Sequence, residues 1–324
     1  MEQNQTASQV PLYSGKPEQG FFSKKWRFFK KNFELSALSF PAIVVIIVLS
    51  YIPMFGIIIA FKNFHYDLGF WGSKWIGFKN FEFLFKTDAA VRITRNTILY
   101  NLGYMITTTS AALALAVLLN EIGKRWLKLY QTALFLPYFL SWVVVGYIAL
   151  AFLDNENGYI NQILVQLGFE KVAFYFEAKY WPYILNAFQL WKNIGFSTLI
   201  YYAGILSIDA ELYEAARMDG ATRLQMIRRI TLPLLKPLII ILLILSLGNM
   251  FRGDFGLHYF IPNNVGLIYS STDIIDTYVY RALSSLGDVG MASAVGLYQS
   301  VVGLVLVLLA NYIVRKVNDE NSLF

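Results

Sequence analysis

One charged segment between two apolar runs is the most informative stretch in the sequence. It spans residues 206–237 and reads LSIDAELYEAARMDGATRLQMIRRITLPLLKP. A carboxylate in this segment can form a charge-assisted hydrogen bond, small side chains allow close packing, and a glycine permits a sharp turn. The spacing predicts a short amphipathic helix that is too polar to enter lipid. From the residues alone, one interpretation stays open in which this is an interfacial helix that ties two spans together.

A second group of polar residues lies in or beside the apolar runs. Ionisable side chains and helix breaks are costly in lipid, so they usually face a cavity or another helix. The sequence therefore predicts a substrate path formed by Trp191, Lys192, Asn193, Asn249, Arg252, Asp254 and His258. An alternative stays open, in which Arg252 and Asp254 mark the outer membrane interface and Lys192 reaches the same surface. In that alternative His258 is a packing residue.

The residue inventory excludes several kinds of chemistry. The chain has no cysteine and only two histidines, so neither a disulfide framework nor a metal site is expected. No G-x-x-x-x-G-K-[ST] pattern occurs, so the chain is not expected to bind nucleotide phosphates or another cofactor. The apolar runs hold no paired carboxylates or histidine cluster, and an enzyme is therefore not expected.

The amino-acid composition indicates that most of the chain lies in a lipid bilayer. Of 324 residues, 56% are hydrophobic and 15% are charged, and the mean hydropathy is +0.49. A run of about 20 apolar residues crosses a hydrocarbon core of about 30 Å as a helix. The sequence thus predicts an all-α membrane protein of about six transmembrane helices. They lie within Leu35–Phe61, Asn96–Asn120, Leu129–Leu153, Tyr180–Ile208, Pro237–Phe251 and Val289–Val314.

The positions of basic residues predict the orientation. The net charge is +6, and much of the basic excess lies next to apolar runs, where Lys and Arg remain on the cytoplasmic side. This pattern predicts that both termini are cytoplasmic and gives no reason to expect nucleic acid as a partner. The predicted organisation is a tail at 1–31, a transmembrane domain at 32–318 with a cytoplasmic loop at about 207–233, and a second tail at 319–324.

The cytoplasmic loop carries a recognisable signature. It consists of Glu214, Ala215, Ala216, Gly220, Ile230, Leu232 and Pro233. This pattern resembles the EAA loop of permease subunits in binding-protein-dependent ABC importers. Residues 273–317 are similar to the last span of the branch of that family that imports complex oligosaccharides, including acidic ones. The resemblance implies the type I ABC importer permease fold.

The resemblance also implies a set of partners. In such importers the EAA loop is a coupling helix that docks on a separate ATPase subunit. The contact residues that the resemblance implies are Glu214, Ala215, Ala216, Asp219 and Gly220. The expected assembly contains a second homologous permease, two ABC ATPase subunits that bind ATP and Mg, and an extracytoplasmic solute-binding protein. The resemblance places it in the bacterial inner membrane, surrounded by lipid, where the expected function is oligosaccharide import by alternating access.

Arginine placement adds a prediction about the substrate. Arginine binds carboxylates in a bidentate manner, and four arginines are predicted in the outer half of the protein. They are Arg92, Arg95, Arg252 and Arg281. An acidic oligosaccharide of the alginate or oligogalacturonate type is therefore predicted. The alternative is a secondary transporter or channel for a polar solute, which does not explain the EAA-like loop.

Overall fold

The computed structural model describes residues 33–317, so the predicted tails at 1–31 and 319–324 lie outside the described residues. The chain divides between Gly56 and Ile57 into two compact units. Each unit is helical for most of its described length.

The first unit is formed by the apolar run that the sequence predicts as the first span. Helix α1 covers Phe33–Ile46, a π-helical turn covers Ile47–Tyr51, and α2 covers Ile52–Met54. A 3-10 helix, Phe55–Phe61, follows directly.

A small hairpin opens the second unit. Strand β1 (Lys62–Asn63) pairs antiparallel with β2 (Lys74–Trp75), so that Lys62 faces Trp75. Helix α3 (Gly69–Gly72) lies between the strands. Asn80 fixes the next turn, because its side-chain amide donates to the carbonyl oxygens of Ala60 at 2.9 Å and Lys62 at 3.0 Å.

The later helices differ greatly in length. The long ones are the membrane-spanning candidates, and the short ones lie in the connections between them. They are α4 (Glu82–Lys86), α5 (Asp88–Glu121), α6 (Lys124–Phe135), α7 (Trp142–Leu153), α8 (Tyr159–Gln166), α9 (Trp181–Leu206), α10 (Ala210–Met218), α11 (Arg223–Met226), α12 (Leu232–Gly248), α13 (Phe255–Phe260), α14 (Tyr269–Thr272), α15 (Ile275–Leu286) and α16 (Val289–Val317).

Helices α5 and α9 form the central pair of the second unit and run in the same direction. Gly103 of α5 lies beside the Asn186 side chain of α9, and further along Leu119 packs in one apolar cluster with Ile205. Because α5 and α9 are parallel, the chain must return from the end of α5 to the opposite end of the protein before α9 begins. The chain between them makes that return through α6 and α7.

Helix α12 lies antiparallel to both α9 and α16. Gly204 of α9 packs on Leu238, and Gly303 of α16 packs on the backbone of Gly248. The Gln299 side chain of α16 donates a hydrogen bond to the carbonyl oxygen of Phe251 at 2.6 Å. Glycines at these crossings let the helices approach closely, as is typical of helix packing in membranes.

The structure confirms a helical membrane protein and modifies the predicted spans. Within residues 33–317, four helices are long and apolar enough to cross a membrane, and the number is five if a bent pair of helices counts as one span. The four are Ala37–Phe61, Asp88–Glu121, Arg223–Gly248 and Val289–Lys316. The predicted fourth span, Tyr180–Ile208, corresponds to α9, whose 26 residues reach about 39 Å but include polar side chains in the middle.

The prediction of an uninterrupted third span at Leu129–Leu153 is wrong. Segments Arg125–Phe139 and Trp142–Leu153 meet at an angle of 97°. The chain tightens into a 3-10 turn around Pro137, and Ser141 then caps a new helix by accepting from the Val144 amide at 3.3 Å. A proline and a capping serine are sufficient local causes of such a break.

The connections of the second unit gather at two opposite ends. At one end Glu121, at the close of α5, contacts the segment between α9 and α12. At the other end the loop at 154–180 contacts the loop at 253–288, since the Ser271 hydroxyl donates to the Ala178 carbonyl at 2.8 Å. Asn96 joins α5 to that second loop through a 3.0 Å bond to the Asp273 carbonyl. This grouping agrees with the predicted two-sided arrangement of the loops.

Candidate coupling loop and translocation cavity

The EAA-like segment folds as a helix, a turn and a second helix. Asp209 caps the start of α10 by accepting from the Glu211 amide at 3.0 Å. Gly220 has φ of +77°, a left-handed conformation that favours glycine, and it ends the turn after α10. Thr222 and Gln225 form a capping box that starts α11. The predicted helix and turn are therefore present.

The predicted contact residues lie on the outside of this segment. Glu214, Ala215, Asp219 and Gly220 are exposed, and Ala216 is half-buried. Two apolar side chains beside them are also exposed, Leu212 at 46% and Met218 at 87%. An acidic residue next to small and apolar exposed groups is a suitable surface for a protein partner.

The inner side of α10 contacts the membrane helices. The Tyr213 hydroxyl lies 2.9 Å from the Thr231 hydroxyl in the π-helical turn Ile227–Thr231, which leads into α12. The Arg223 guanidinium lies 2.8 Å from the Glu121 carboxylate. A cleft of about 340 Å³ lies beneath α10, and these four side chains line it.

A polar cavity of about 420 Å³ lies between α5, α9 and α12. Amide and hydroxyl side chains line it together with apolar ones. The Thr108 hydroxyl joins two helices by donating to the Gln189 side chain at 3.0 Å. Three residues of the predicted substrate path lie in this wall, namely Asn193, Asn249 and Asp254. Polar side chains inside a membrane helix bundle are expected to line a transport path.

Sequence reasoning missed much of this wall. Besides Tyr104 and Tyr201, the missed polar members are Asn101, Thr108, Thr109, Gln189, Ser197 and Ser246. Some recur at helical spacing, since Asn101 and Thr108 lie two turns apart on α5 and Gln189 and Asn193 one turn apart on α9. A search for polar stripes along apolar helices would have found these residues.

Lys192 and Trp191 do not line this cavity. Lys192 is 8% exposed, and its Nζ donates to the carbonyl oxygen of Tyr138 at 2.9 Å, at the break in the third span. The ammonium also lies over the rings of Tyr138 at 5.3 Å and Trp142 at 5.1 Å. Lys192 thus satisfies a carbonyl freed by the break. Trp191 is 41% exposed.

Asp254 and His258 hold the short helix α13 in place. Asp254 accepts from the Leu257 amide at 3.2 Å and from the Trp142 indole at 2.9 Å, and burial raises the pKa of its carboxyl. His258 is 4% exposed and lies between the Thr272 carbonyl at 2.9 Å and the Tyr104 hydroxyl at 3.1 Å. Burial lowers the pKa of His258 to about 4, so the ring is neutral near pH 7.

The four arginines on which the acidic-substrate prediction depends differ in their contacts and exposure. Arg281 pairs with the buried Asp273 at 2.7 Å, and Arg92 lies 3.8 Å from the same carboxylate. Arg95 and Arg252 are exposed, and the Asn101 amide fixes the backbone of Arg252 at 2.9 Å. None of the four is among the described residues that line the polar cavity.

Comparison with known proteins assigns the chain to a family. A family model described as the inner membrane component of binding-protein-dependent transport systems matches residues 109–319. The chain therefore belongs to that family, and the predicted resemblance to ABC transporter permeases is confirmed. The matched region contains both the EAA-like segment and most of the polar cavity.

Individual relatives agree over nearly the whole chain. Protein LplB of Bacillus subtilis (strain 168) is 36% identical over 292 residues, which are 90% of this chain and 91% of that protein. The polygalacturonan/rhamnogalacturonan transport system permease protein YteP of the same organism is 36% identical over 283 residues, 86% and 87% of the two chains.

A solved structure has the same fold. It is the crystal structure of a bacterial ABC transporter involved in the import of the acidic polysaccharide alginate, with a TM-score of 0.81 and 34% identity over 91% of this chain and 99% of that one. A second structure holds that alginate transporter in complex with an alginate pentasaccharide-bound periplasmic protein, with a TM-score of 0.81 and 33% identity, covering 90% and 97% of the two chains.

Proposed function

We propose that this chain is one pore-forming subunit of an ATP-driven oligosaccharide importer in the bacterial inner membrane. It crosses the membrane six times, with α9 as the most polar span and both termini in the cytoplasm. Transport proceeds by alternating access, in which ATP binding and hydrolysis shift the population between outward-facing and inward-facing states. Family membership favours this mechanism over a secondary transporter or channel.

The observation that supports this proposal best is the position of the polar cavity. It is walled by α5, α9 and α12, and the cleft beneath the coupling helix α10 is bordered by the opposite ends of α5 and α9 and by the π-helical turn that leads into α12. A movement of α10 therefore has a direct physical route to the cavity wall. Glu214, Ala215, Ala216, Asp219 and Gly220 are the proposed contacts with an ATPase subunit.

The partners follow from the same reasoning. Two ABC ATPase subunits bind ATP and Mg, and this chain binds neither. A second homologous permease completes the pore, and an extracytoplasmic solute-binding protein delivers the substrate. The alginate transporter structure with its periplasmic protein supports the last of these partners.

For the substrate we propose an oligosaccharide that carries uronic acid residues. Support comes from the names of two relatives, one a polygalacturonan/rhamnogalacturonan permease and the other an alginate importer. The cavity wall of this chain offers amides and hydroxyls, which bind sugar hydroxyls, and its one acidic side chain is Asp254. The substrate carboxylates then require cations supplied elsewhere in the complex, because like charges repel in a cavity of low dielectric constant.

Uptake by the reconstituted complex tests the proposal. Liposomes containing both permeases and the ATPases are supplied with binding protein and labelled oligogalacturonate, and import and ATP hydrolysis are recorded together. Replacing Glu214→Ala removes the charge-assisted bond to the ATPase, so import falls at least tenfold while the complex still assembles. Glu211→Ala, which removes another exposed carboxylate of the same helix, is the matched control and retains import.

Two results contradict the proposal. Import without ATP or without an ATPase partner identifies a secondary transporter or channel. Equal import of neutral and uronic oligosaccharides of the same length leaves the importer intact but overturns the acidic substrate.

A further inference from the structure

Helix α10, the turn at Gly220 and helix α11 together form the coupling segment. Two side-chain contacts attach this segment to the membrane helices. The Glu121–Arg223 ion pair, 2.8 Å long, joins the last residue of α5 to the first residue of α11. The Tyr213–Thr231 hydrogen bond, 2.9 Å long, joins α10 to the π-helical turn that precedes α12. Each contact connects residues that are far apart in sequence.

The ion pair is placed against both helix dipoles. Glu121 lies at the C-terminal end of α5, where the dipole is negative, and Arg223 lies at the N-terminal start of the continuous helix Arg223–Gly248, where it is positive. Each charge is disfavoured at its own helix end and is favoured there only by the other. The side chains are 36% and 78% exposed, so the pair contributes little to the stability of the fold.

The Tyr213–Thr231 hydrogen bond is more buried than the ion pair. Thr231 is 3% exposed and Tyr213 is half-buried. The bond ends on a π-helical turn, Ile227–Thr231, and π turns within helices are frequent at functional sites. The helix is wider at this turn. A displacement of Thr231 by Tyr213 can therefore change how α12 packs.

Both contacts end on helices that wall the polar cavity. The side chains of Asn101 and Thr108 on α5 line it, as do Leu242 and Ser246 on α12. The coupling segment is therefore fixed to two of the three walls by these contacts and continues along the chain from the third wall, α9.

We propose that Tyr213, Thr231, Glu121 and Arg223 are positioning residues that transmit the movement of the coupling helix to α5 and α12. The inference rests on the proposed function and adds a defined route within this chain. It concerns the efficiency of coupling, which is the number of ATP molecules hydrolysed per oligosaccharide imported. None of the four residues needs to touch the ATPase or the substrate.

The hydrogen bond is tested with Tyr213→Phe. Removing one neutral hydrogen bond changes an equilibrium by about fivefold, so the ATP-per-import ratio rises about fivefold while assembly on a sizing column is unchanged. Thr231→Val removes the same bond from the other side and gives the same ratio, whereas Thr231→Ser keeps it. Tyr269→Phe is the matched control, because Tyr269 donates an exposed 2.7 Å bond to Asn264 at the opposite end.

The ion pair is tested by exchanging its charges. Glu121→Arg and Arg223→Glu each raise the ATP-per-import ratio about two- to fivefold, and the double exchange restores the wild-type ratio. The effect of the single variants shrinks as salt rises, because exposed charges are screened. The same exchange at the exposed Glu82–Lys86 pair, also 2.8 Å long, is the control and leaves the ratio unchanged.

Glu214→Ala, measured beside these variants, separates the two levels of the proposal. If Glu214→Ala lowers import but Tyr213→Phe, Thr231→Val and the single charge exchanges leave the ratio unchanged, the positioning role is wrong and the importer stands. If Glu214→Ala also has no effect, the proposed ATPase contact through Glu214 fails as well, and import without ATP overturns the proposed function itself. A double exchange that does not restore the ratio overturns the role of the ion pair alone.

Discussion

The buried side chain of His258 shows how a single residue is fixed between the loop at 253–288 and helix α5. The Nδ1 of His258 faces a carbonyl oxygen, which can only accept, so Nδ1 carries the proton and Nε2 accepts from the Tyr104 hydroxyl. The neutral ring therefore satisfies both partners. A protonated ring has no free acceptor for Tyr104 and is also disfavoured by burial.

This arrangement predicts a loss of stability in acid. The pKa of His258 is about 4 in the folded protein and about 6.5 in an unfolded chain, so the unfolded state binds the proton first. Stability therefore falls as pH decreases from about 6.5 to about 4, by on the order of 3 kcal/mol from this residue. The thermal midpoint in detergent, measured across this range, should decrease less steeply in His258→Gln than in the wild type.

The control uses the other histidine. His65 is exposed, so His65→Gln should keep the wild-type slope. A His258→Gln variant with the full wild-type slope contradicts the assigned neutral state.

At the scale of elements, the bent third span depends on the helix beside it. Gly195 of α9 lies so close to α6 that an added Cβ atom would overlap the carbonyl oxygen of Leu134. Three residues earlier on α9, Lys192 satisfies the Tyr138 carbonyl at the break itself. Helix α9 thus provides both the space and the hydrogen-bond donor that a break inside a membrane requires.

Gly195→Ala is therefore expected to destabilise the protein. The methyl group meets backbone, which cannot move aside as a flexible side chain can, and overpacking of this kind costs about 1–3 kcal/mol. The thermal midpoint in detergent should decrease. Gly296→Ala in α16 is the matched control, because nothing lies within 4 Å of its added Cβ and alanine favours the helix. Equal midpoints for the two variants contradict the close contact.

At the scale of the whole molecule, the proposed orientation places the coupling segment in the cytoplasm and the loop at 253–288 on the opposite side of the membrane. The coupling segment and the loop at 253–288 belong to opposite ends of the second unit. The chain has no cysteine, so single cysteines can be introduced without background labelling. Met218 and Leu267 are suitable positions, since they are 87% and 66% exposed at the two ends.

A membrane-impermeant maleimide should distinguish these positions. In intact spheroplasts Leu267→Cys is labelled, and Met218→Cys is labelled only after the membrane is permeabilised, because the basic loop that follows Met218 is retained inside. The opposite pattern reverses the orientation. Labelling of both positions in intact spheroplasts contradicts a cytoplasmic coupling loop.

The sequence by itself determined the features that depend on nearby residues. Apolar runs predicted the membrane helices, and the amphipathic spacing around Glu214 with Gly220 predicted the helix and turn of the coupling loop. These features are local, because hydropathy, caps and glycine turns act over a few residues. The same local signature was sufficient to identify the family.

Only the tertiary structure decided which polar residues act together. Lys192 was predicted beside the substrate path, yet it faces the Tyr138 carbonyl, while the unpredicted Gln189 lies in the cavity wall. The Glu121–Arg223 pair joins positions 102 residues apart, and the break at Pro137 is stabilised by a helix that begins more than 40 residues later. Such partners are set by how helices pack against each other, and packing depends on the shapes of distant segments that local sequence patterns do not record.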